Sequence, residues 1–169
     1  MKIKRTRRII LISLIIFLNI ICDQISKSII RNKINNNKIV NIINDNLVFQ
    51  KAENSGAAMG LGSNLPTDLK TIYFQLLPII FLLFLYRMII IETELSKLTV
   101  IGIAFAIGGG IGNIFDRIAY GTVTDFILIK FGVFKTGIFN IADVSIIIGI
   151  FLAFLGIILS KNDSYKKVC

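Results

Sequence analysis

The sequence predicts an all-α membrane protein with four transmembrane helices and a short β-hairpin between the first two. Of its 169 residues, 54% are hydrophobic and 17% are charged, and a mean hydropathy of +0.77 is high for a soluble domain of this size. Four apolar stretches approach the ~20 residues that a helix needs to cross a ~30 Å hydrocarbon core. They leave no separate soluble domain, so residues 1–169 are expected to form one integral membrane domain.

The predicted elements alternate between apolar spans and one longer loop. The spans are placed at about residues 9–30, 72–91, 98–118 and 139–160. In the loop after the first span, β-forming residues flank Asn44-Asp45-Asn46, which indicates a hairpin within Lys38–Gln50. The extracytoplasmic β region is expected to cover about residues 38–60.

The distribution of cations predicts how the chain crosses the membrane. A net charge of +9 would suggest nucleic-acid binding in a soluble protein, but here the cations gather at the ends of an apolar chain. Those at the two ends are Lys2, Lys4, Arg5, Arg7, Arg8, Lys161, Lys166 and Lys167. The positive-inside rule then places both termini in the cytoplasm, and the cations of the long loop count for less in that rule.

The first apolar run could instead be a signal peptide that is cleaved near Cys22. Such a lipoprotein site needs a small residue before the cysteine, whereas Ile21 is bulky and the run continues to Ile30. An uncleaved span is therefore expected. Cys22 and Cys169 have no ligand-spaced partners, which predicts neither a disulfide nor a metal site. The chain has no His, which excludes Ser-His and Cys-His catalysis and leaves carboxylates as the natural acid–base groups.

The first span carries a polar stripe. Asn19, Asp23 and Lys27 are spaced four residues apart, so they share one helix face. Asp23 precedes Lys27 in the order that favours a helical ion pair. Two interpretations stay open: a buried pair that locks this helix to its neighbours, or a pair that faces a substrate.

The loop and the third span add further polar positions. Asn54 and Gly56 lie in a run of small residues that permits close backbone approach, as in an ordinary turn or in a functional loop. Gly108 and Gly112 form a small-xxx-small pair that is typical of tight helix packing in lipid. Asn113 and Arg117 share a face at the end of this span, where Asp116-Arg117 is interpreted as an interfacial ion pair.

Two aspartates carry the functional prediction. Asp125 follows the third span and Asp143 opens the fourth, so both carboxyls should lie at the same membrane face. Ionisable groups there are costly and suggest a working site. Asn140 precedes Asp143 by three residues and could orient its carboxyl. Two carboxyls that share one proton are sufficient for an aspartic hydrolase.

Two other classes of protein could carry intramembrane charges. A proton-coupled transporter could use the carboxylates with Lys27 and Arg117 as a relay, but four spans are few, and paired broken helices are not evident in the sequence. An accessory protein could use its polar residues to bind other helices. Cleavage of a substrate by the purified protein would discriminate these classes.

Taken together, the motifs resemble those of the lipoprotein signal peptidase (signal peptidase II) family over essentially the whole chain. They are Asp23-Gln24-Ile25-Ser26-Lys27, Asn54-Ser55-Gly56-Ala57-Ala58, Gly112-Asn113-Ile114-Phe115-Asp116-Arg117, Gly121-Thr122-Val123-Thr124-Asp125-Phe126 and Phe139-Asn140-Ile141-Ala142-Asp143. Each motif is weak alone, but five in the same order are specific.

The resemblance implies an aspartic endopeptidase of the bacterial inner membrane that cleaves diacylglyceryl-modified prolipoproteins before the lipidated cysteine. It implies a small extracytoplasmic β-cradle, a helix over the site and sensitivity to globomycin. The catalytic pair falls on Asp125 and Asp143, and the other matching positions are Asp23, Lys27, Asn54, Gly56, Asn113, Arg117, Asn140 and Ala142. The expected partners are prolipoproteins and membrane lipid. A monomer is expected, with no metal, cofactor or nucleic acid.

Overall fold

The fold is described from a computed structural model that covers residues 5–35 and 38–166. Lys2, Lys4, Lys167 and Cys169, which entered the sequence-based predictions, lie outside these residues. Within the described ranges, four helices are long and apolar enough to cross a membrane: Thr6–Lys33, Thr67–Ile91, Lys97–Tyr120 and Ile141–Lys161. The prediction of four membrane helices is therefore confirmed.

The helices extend beyond the predicted apolar limits. Their bounds are α1 (Arg5–Lys33), α2 (Thr67–Thr71), α3 (Leu77–Ile91), α4 (Lys97–Tyr120) and α5 (Ile141–Lys166), and a π-helical turn at Ile72–Leu76 joins α2 to α3. The extra turns carry charged residues such as Arg31 and Lys33. The length of an apolar run reflects the thickness of the hydrocarbon core. A helix can continue beyond that core into the membrane interface, because its backbone hydrogen bonds are made within the helix.

The loops that connect the membrane helices form a small antiparallel sheet. Within the described residues its strands are β1 (Ile39–Ile43), β2 (Leu47–Asn54), β3 (Val123–Phe131) and β4 (Phe134–Lys135), in spatial order β1-β2-β3-β4. The predicted hairpin within Lys38–Gln50 is confirmed as β1 and β2. The predicted β region of residues 38–60 was incomplete, because half of the strands come from the loop between the third and fourth spans.

The pairing of β2 with β3 brings two distant loops together. Asn54 lies opposite Val123, and Ala52 lies opposite Asp125. The end of α1 supports this sheet, since Ile30 and Ile34 pack against Phe126 of β3. Asp125 therefore lies on a braced strand and not in a flexible loop.

Helix α4 is the centre of the membrane bundle and contacts α1, α3 and α5. The glycines of α4 allow the neighbouring helices to approach it closely. A Cβ atom at Gly108 would lie 2.7 Å from the Cβ of Asn19 in α1. At Gly112 it would lie 2.5 Å from a carboxylate oxygen of Asp23, also in α1. The small-xxx-small pair therefore forms a close packing seam with α1, as the spacing predicts.

Gly109 and Gly110 provide a matched test of this packing. A Cβ at Gly109 would collide with the backbone carbonyl oxygen of Ala142 in α5, whereas a Cβ at Gly110 would meet the flexible end of Leu82 at 2.9 Å. We expect Gly109→Ala to lower the free energy of unfolding by about 1–3 kcal/mol, the usual cost of overpacking. Gly110→Ala should have little effect, since Leu82 can change rotamer. Equal losses in detergent thermal-denaturation measurements would contradict this packing.

Candidate active site

One asparagine connects the two aspartates that the sequence singled out. Asn140, just before α5, donates from its side-chain Nδ2 to Asp125 Oδ1 at 2.6 Å. Its backbone N–H donates to Asp143 Oδ2 at 3.1 Å. Asp125 lies on β3 and Asp143 lies in the first turn of α5. The structure thus brings both carboxyls to one site, although they come from different kinds of element.

The same asparagine caps the helix. Asn140 Oδ1 accepts a hydrogen bond from the backbone N–H of Asp143 at 3.0 Å. With the reverse bond to Asp143 this forms a reciprocal capping arrangement, which satisfies N–H groups that a helix start leaves free. The fourth span was predicted to begin at about Phe139. Phe139 instead pairs with Ile127 of β3, so α5 begins at Ile141.

Two further asparagines complete the surroundings of the carboxyls. Asn54 donates from Nδ2 to Asp125 Oδ2 at 3.1 Å. Asn113, on α4, donates from Nδ2 to Asp143 Oδ1 at 2.8 Å. Each of the four carboxylate oxygens therefore receives an N–H donor. Such donors stabilise a carboxylate and fix its orientation.

The surroundings of Asp125 oppose its ionisation. The residue is 4% exposed, and burial raises the pKa of its carboxyl from the ordinary 3.8 to about 6. The hydrogen bonds from Asn54 and Asn140 act in the opposite direction, while the nearby charge of Asp143 adds to the increase. Asp143 itself is half-buried. The two carboxyls thus differ in their access to water.

Gly56 and Arg117 organise the loop that follows β2. The backbone N–H of Gly56 donates to Asn54 Oδ1 at 2.9 Å, and its carbonyl accepts from Arg117 Nη2 at 2.8 Å. A Cβ at Gly56 would lie 2.5 Å from the carbonyl oxygen of Leu61, so a larger residue would open this loop. Arg117 also lies over the ring of Phe74, at 5.7 Å from its centroid. Its buried Nε finds no hydrogen-bond partner among the described residues.

Asp116 and Arg117 do not form the interfacial ion pair that the sequence suggested. Asp116 is fully buried. Its carboxylate lies 3.2 Å from Lys27 Nζ and 2.8 Å from Arg31 Nη2. Adjacent residues of a helix point in different directions, so Arg117 reaches the loop at Gly56 while Asp116 faces α1.

Asp23 and Lys27 belong to a buried network between helices. Their carboxylate and ammonium are 2.8 Å apart, and both side chains are fully inaccessible. Asp23 Oδ1 also accepts from the backbone N–H of Ala142, another buried residue, at 3.0 Å. Asp23 therefore ties α1 to the first turn of α5. This placement favours the interpretation of Asp23 as an interhelical lock.

Sequence reasoning missed several members of this network. Arg31 extends the Asn19, Asp23, Lys27 stripe by one more step of four residues, a signal that was available. Arg31 Nε donates to Thr124 Oγ1 at 2.8 Å, next to Asp125 on β3. The long-range pairing with β3 has no comparable local signal.

A cavity of about 330 Å³ adjoins Asp125. It lies between the end of β2 and the loop that follows. Its lining residues are Ala52, Glu53, Asn54, Ser55, Met59, Gly60, Ser63, Asp125 and Ile138. Met59 is 86% exposed and has a φ of 57°, an uncommon backbone conformation for a residue with a side chain. The site is thus bounded by a loop with an apolar side chain at its rim.

Known proteins resemble this chain over most of its length. The family described as "Signal peptidase (SPase) II" matches residues 15–159. The chain is 33% identical to the lipoprotein signal peptidase of Borrelia turicatae (strain 91E135), over 97% of this chain and 98% of that protein. It is also 33% identical to that of Clostridium novyi (strain NT), over 80% and 89%. A solved bacterial membrane enzyme shares 29% identity and a TM-score of 0.79, covering 90% of each chain. This chain therefore belongs to the signal peptidase II family, and it is a multi-pass bacterial membrane protein.

Proposed function

We propose that this member of the signal peptidase II family is an aspartic endopeptidase in which Asp125 and Asp143 act together on the scissile peptide bond. The observation that supports this most strongly is Asn140, which donates to both carboxyls, at 2.6 and 3.1 Å. The substrate is a diacylglyceryl-modified prolipoprotein, cut before its lipidated cysteine. The acyl chains and the apolar signal helix of such a substrate reside in lipid, as do the helices that carry the site.

The environments of the two carboxyls suggest different roles. Asp143, the more exposed, acts as the base and takes a proton from a water molecule. The water oxygen bonds to the scissile carbonyl carbon while Asp125, which holds the shared proton, donates a hydrogen bond to the carbonyl oxygen. The carbon–nitrogen bond then breaks, and the leaving amine receives a proton from the pair. The raised pKa of Asp125 supports its assignment as the protonated partner.

Asn54, Gly56 and Arg117 position the substrate in this proposal. The link from Arg117 to the Gly56 carbonyl fixes the loop beside the cavity. Arg117 acts by shaping the pocket through the Gly56 carbonyl, because its buried Nε is not accessible to a substrate in this structure. The same cavity and loop are where globomycin would compete with substrate.

The chain crosses the membrane with both termini in the cytoplasm, and the site lies near the extracytoplasmic face of the inner membrane. The cations that precede the first span support this orientation. Asn113 links the C-terminal half of α4 to Asp143 at the start of α5, and Asn140 links the start of α5 to Asp125 of the sheet. A reporter inserted near Asn44 should therefore be found on the outer side, and a cytoplasmic location would reverse the assignment.

The proposed roles predict a pH dependence. Asp125 must carry a proton to assist the carbonyl oxygen, and it loses that proton as the pH rises through its pKa. We expect kcat to fall on the alkaline side with an apparent pKa at or above about 6, because bound substrate removes further water from the site. The pair titrates as a unit, so the profile gives values for the pair. A kcat that keeps rising from about pH 6 to about pH 8 would show that the reaction does not require a protonated carboxyl in this pH range.

The activity itself is tested with purified protein in detergent. A diacylated prolipoprotein should be cut into a signal peptide and a lipidated product, in the presence of a chelator. The matched control is the same precursor without the diacylglyceryl group, which should be processed far more slowly. Equal processing of both precursors would contradict the proposed substrate, and no processing of either would contradict the proposed activity.

A further inference from the structure

The buried ammonium of Lys27 lies behind the catalytic pair and does not contact it. Lys27 has no exposed surface. Its Nζ lies 2.8 Å from Asp23 Oδ2, 3.2 Å from Asp116 Oδ2 and 3.0 Å from Asn113 Oδ1. An ammonium has three protons and no acceptor, so each of its donors has a partner. Two partners are charged, and the third is the side-chain oxygen of an active-site asparagine.

This contact determines which way the Asn113 amide points. An amide presents an acceptor at one end and a donor at the other, and only the acceptor can face an ammonium. The Oδ1 of Asn113 must therefore lie toward Lys27, and its Nδ2 toward Asp143, as observed at 2.8 Å. If the amide were turned over, an N–H group would face the ammonium and an oxygen would face the carboxylate.

The orientation of the Asn113 amide in turn constrains the orientation of the Asn140 amide. The oxygen of Asn113 also accepts from Asn140 Nδ2 at 3.1 Å, so this amide must present its donor end as well. That Nδ2 also donates to Asp125 at 2.6 Å. A chain of fixed donors and acceptors thus runs from Lys27 through two asparagines to the two carboxyls.

We propose that Lys27 is a positioning residue of the catalytic pair, which fixes the orientation of the Asn113 and Asn140 amides so that N–H donors face Asp125 and Asp143. This inference rests on the proposed function, because it assigns a role in the chemistry of that pair. It goes beyond the ion pair that Lys27 forms with Asp23 within α1, since that ion pair requires no contact with Asn113. In this role Lys27 acts through the asparagines and touches no substrate.

Arg31 offers a matched control within the same cluster. It lies one helical step further along α1 and pairs with Asp116 at 2.8 Å, so its loss also disturbs the buried charges. Its ion-pair, hydrogen-bond and ring contacts in the described part of the chain are with Asp116, Thr124 and Tyr120. These contacts do not include Asn113 or Asn140. A purely structural role would make Lys27→Met and Arg31→Met behave alike.

The experiment compares kcat, KM and the pH profile of Lys27→Met and Arg31→Met, normalised to folded protein. The charged groups that face the ammonium are Asp23 of α1 and Asp116 of α4, and Arg31 pairs with the same Asp116 carboxylate. Asn113 lies between the ammonium and Asp143 of α5, and the ammonium also acts on Asp125 of β3. We expect Lys27→Met to reduce kcat by about tenfold to a hundredfold, by analogy with the loss of a residue that orients a metal ligand, with KM little changed. Because the ammonium lowers the pKa of Asp125, its loss should also move the alkaline limb upward. Arg31→Met should leave the limb in place.

Charge-balanced variants cover the case in which a single substitution prevents folding. Lys27→Met with Asp23→Asn, and Arg31→Met with Asp116→Asn, each remove one cation and one anion. The first should shift the profile and the second should not. If both shift it alike, or neither does, Lys27 has no positioning role. Asp143→Asn in the same assay separates the hypotheses, because retained turnover in that variant would contradict the proposed function itself.

Discussion

Asp125→Asn and Asp143→Asn should each lower the rate of prolipoprotein cleavage by at least about 10²–10⁴-fold, the usual contribution of a general acid or base. An amide can neither take a proton from water nor supply one to the leaving amine. One hydrogen bond to each carboxyl is lost, because the new amide nitrogen cannot accept from the N–H group that faces it, but the shape of the side chain and its other hydrogen bond are kept. The loss of activity should therefore lie mainly in kcat. Near-normal turnover in either variant would show that the pair is not catalytic.

The thermal stability of the Asp125→Asn variant tests the raised pKa of Asp125 independently of the activity. Burial raises the pKa of Asp125 from 3.8 to about 6. A raised pKa means that this carboxyl adds stability below pH 3.8, which is lost as the pH rises through about 6. The amide that replaces it does not titrate. The difference in Tm, variant minus wild type, should therefore increase between about pH 4 and about pH 7 and then level off. A constant difference would show that Asp125 has an ordinary pKa.

Asp23→Ala should destabilise the protein by about 3–5 kcal/mol, the cost of removing one partner from a buried ion pair. In the buried network, Asp23 and Asp116 balance Lys27 and Arg31. Without Asp23 an excess positive charge stays buried, and the backbone N–H of Ala142 loses its acceptor. Thermal denaturation in detergent measures this loss.

Two comparisons test whether the loss of stability in Asp23→Ala comes from the buried ion pair. Asp23→Ala with Lys27→Ala should recover part of the lost stability, because the unpaired cation is then gone. Lys51→Ala breaks the partly exposed pair with Glu53, at 3.7 Å, and should cost only about 0–1 kcal/mol. If Asp23→Ala abolished turnover with an unchanged Tm, Asp23 would belong to the reacting groups and the structural interpretation would be wrong.

The four membrane helices could be predicted from the sequence because a membrane span depends only on local composition. A span requires a run of apolar residues whatever its neighbours are, so four runs predicted four helices. The hairpin around Asn44–Asn46 was likewise local, since β-forming residues lie directly on either side of the turn. Strand β3 was missed because its partner β2 lies far upstream, and its apolar run carries no signal for that pairing.

In the candidate site, too, some features could be predicted from the sequence and others depend on contacts between distant segments. Consecutive spans reverse direction, which was enough to predict that Asp125 and Asp143 would meet. The sequence could not show that Asn140 precedes α5 and caps it, because that depends on the pairing of Phe139 with Ile127. Nor could it show that Asp116 turns away from Arg117 toward α1. Contacts between distant segments decide both features.

The most direct test is a structure of this protein with a peptide analogue in which a hydroxyethylene group replaces the scissile amide. Such a group imitates the tetrahedral intermediate, and transition-state analogues bind more tightly than substrates. If Asp125 and Asp143 act together on one bond, the hydroxyl oxygen should lie within about 2.5–3.0 Å of a carboxylate oxygen of each. A hydroxyl that contacts only one of them, or that binds away from both, would contradict the shared role of the two aspartates.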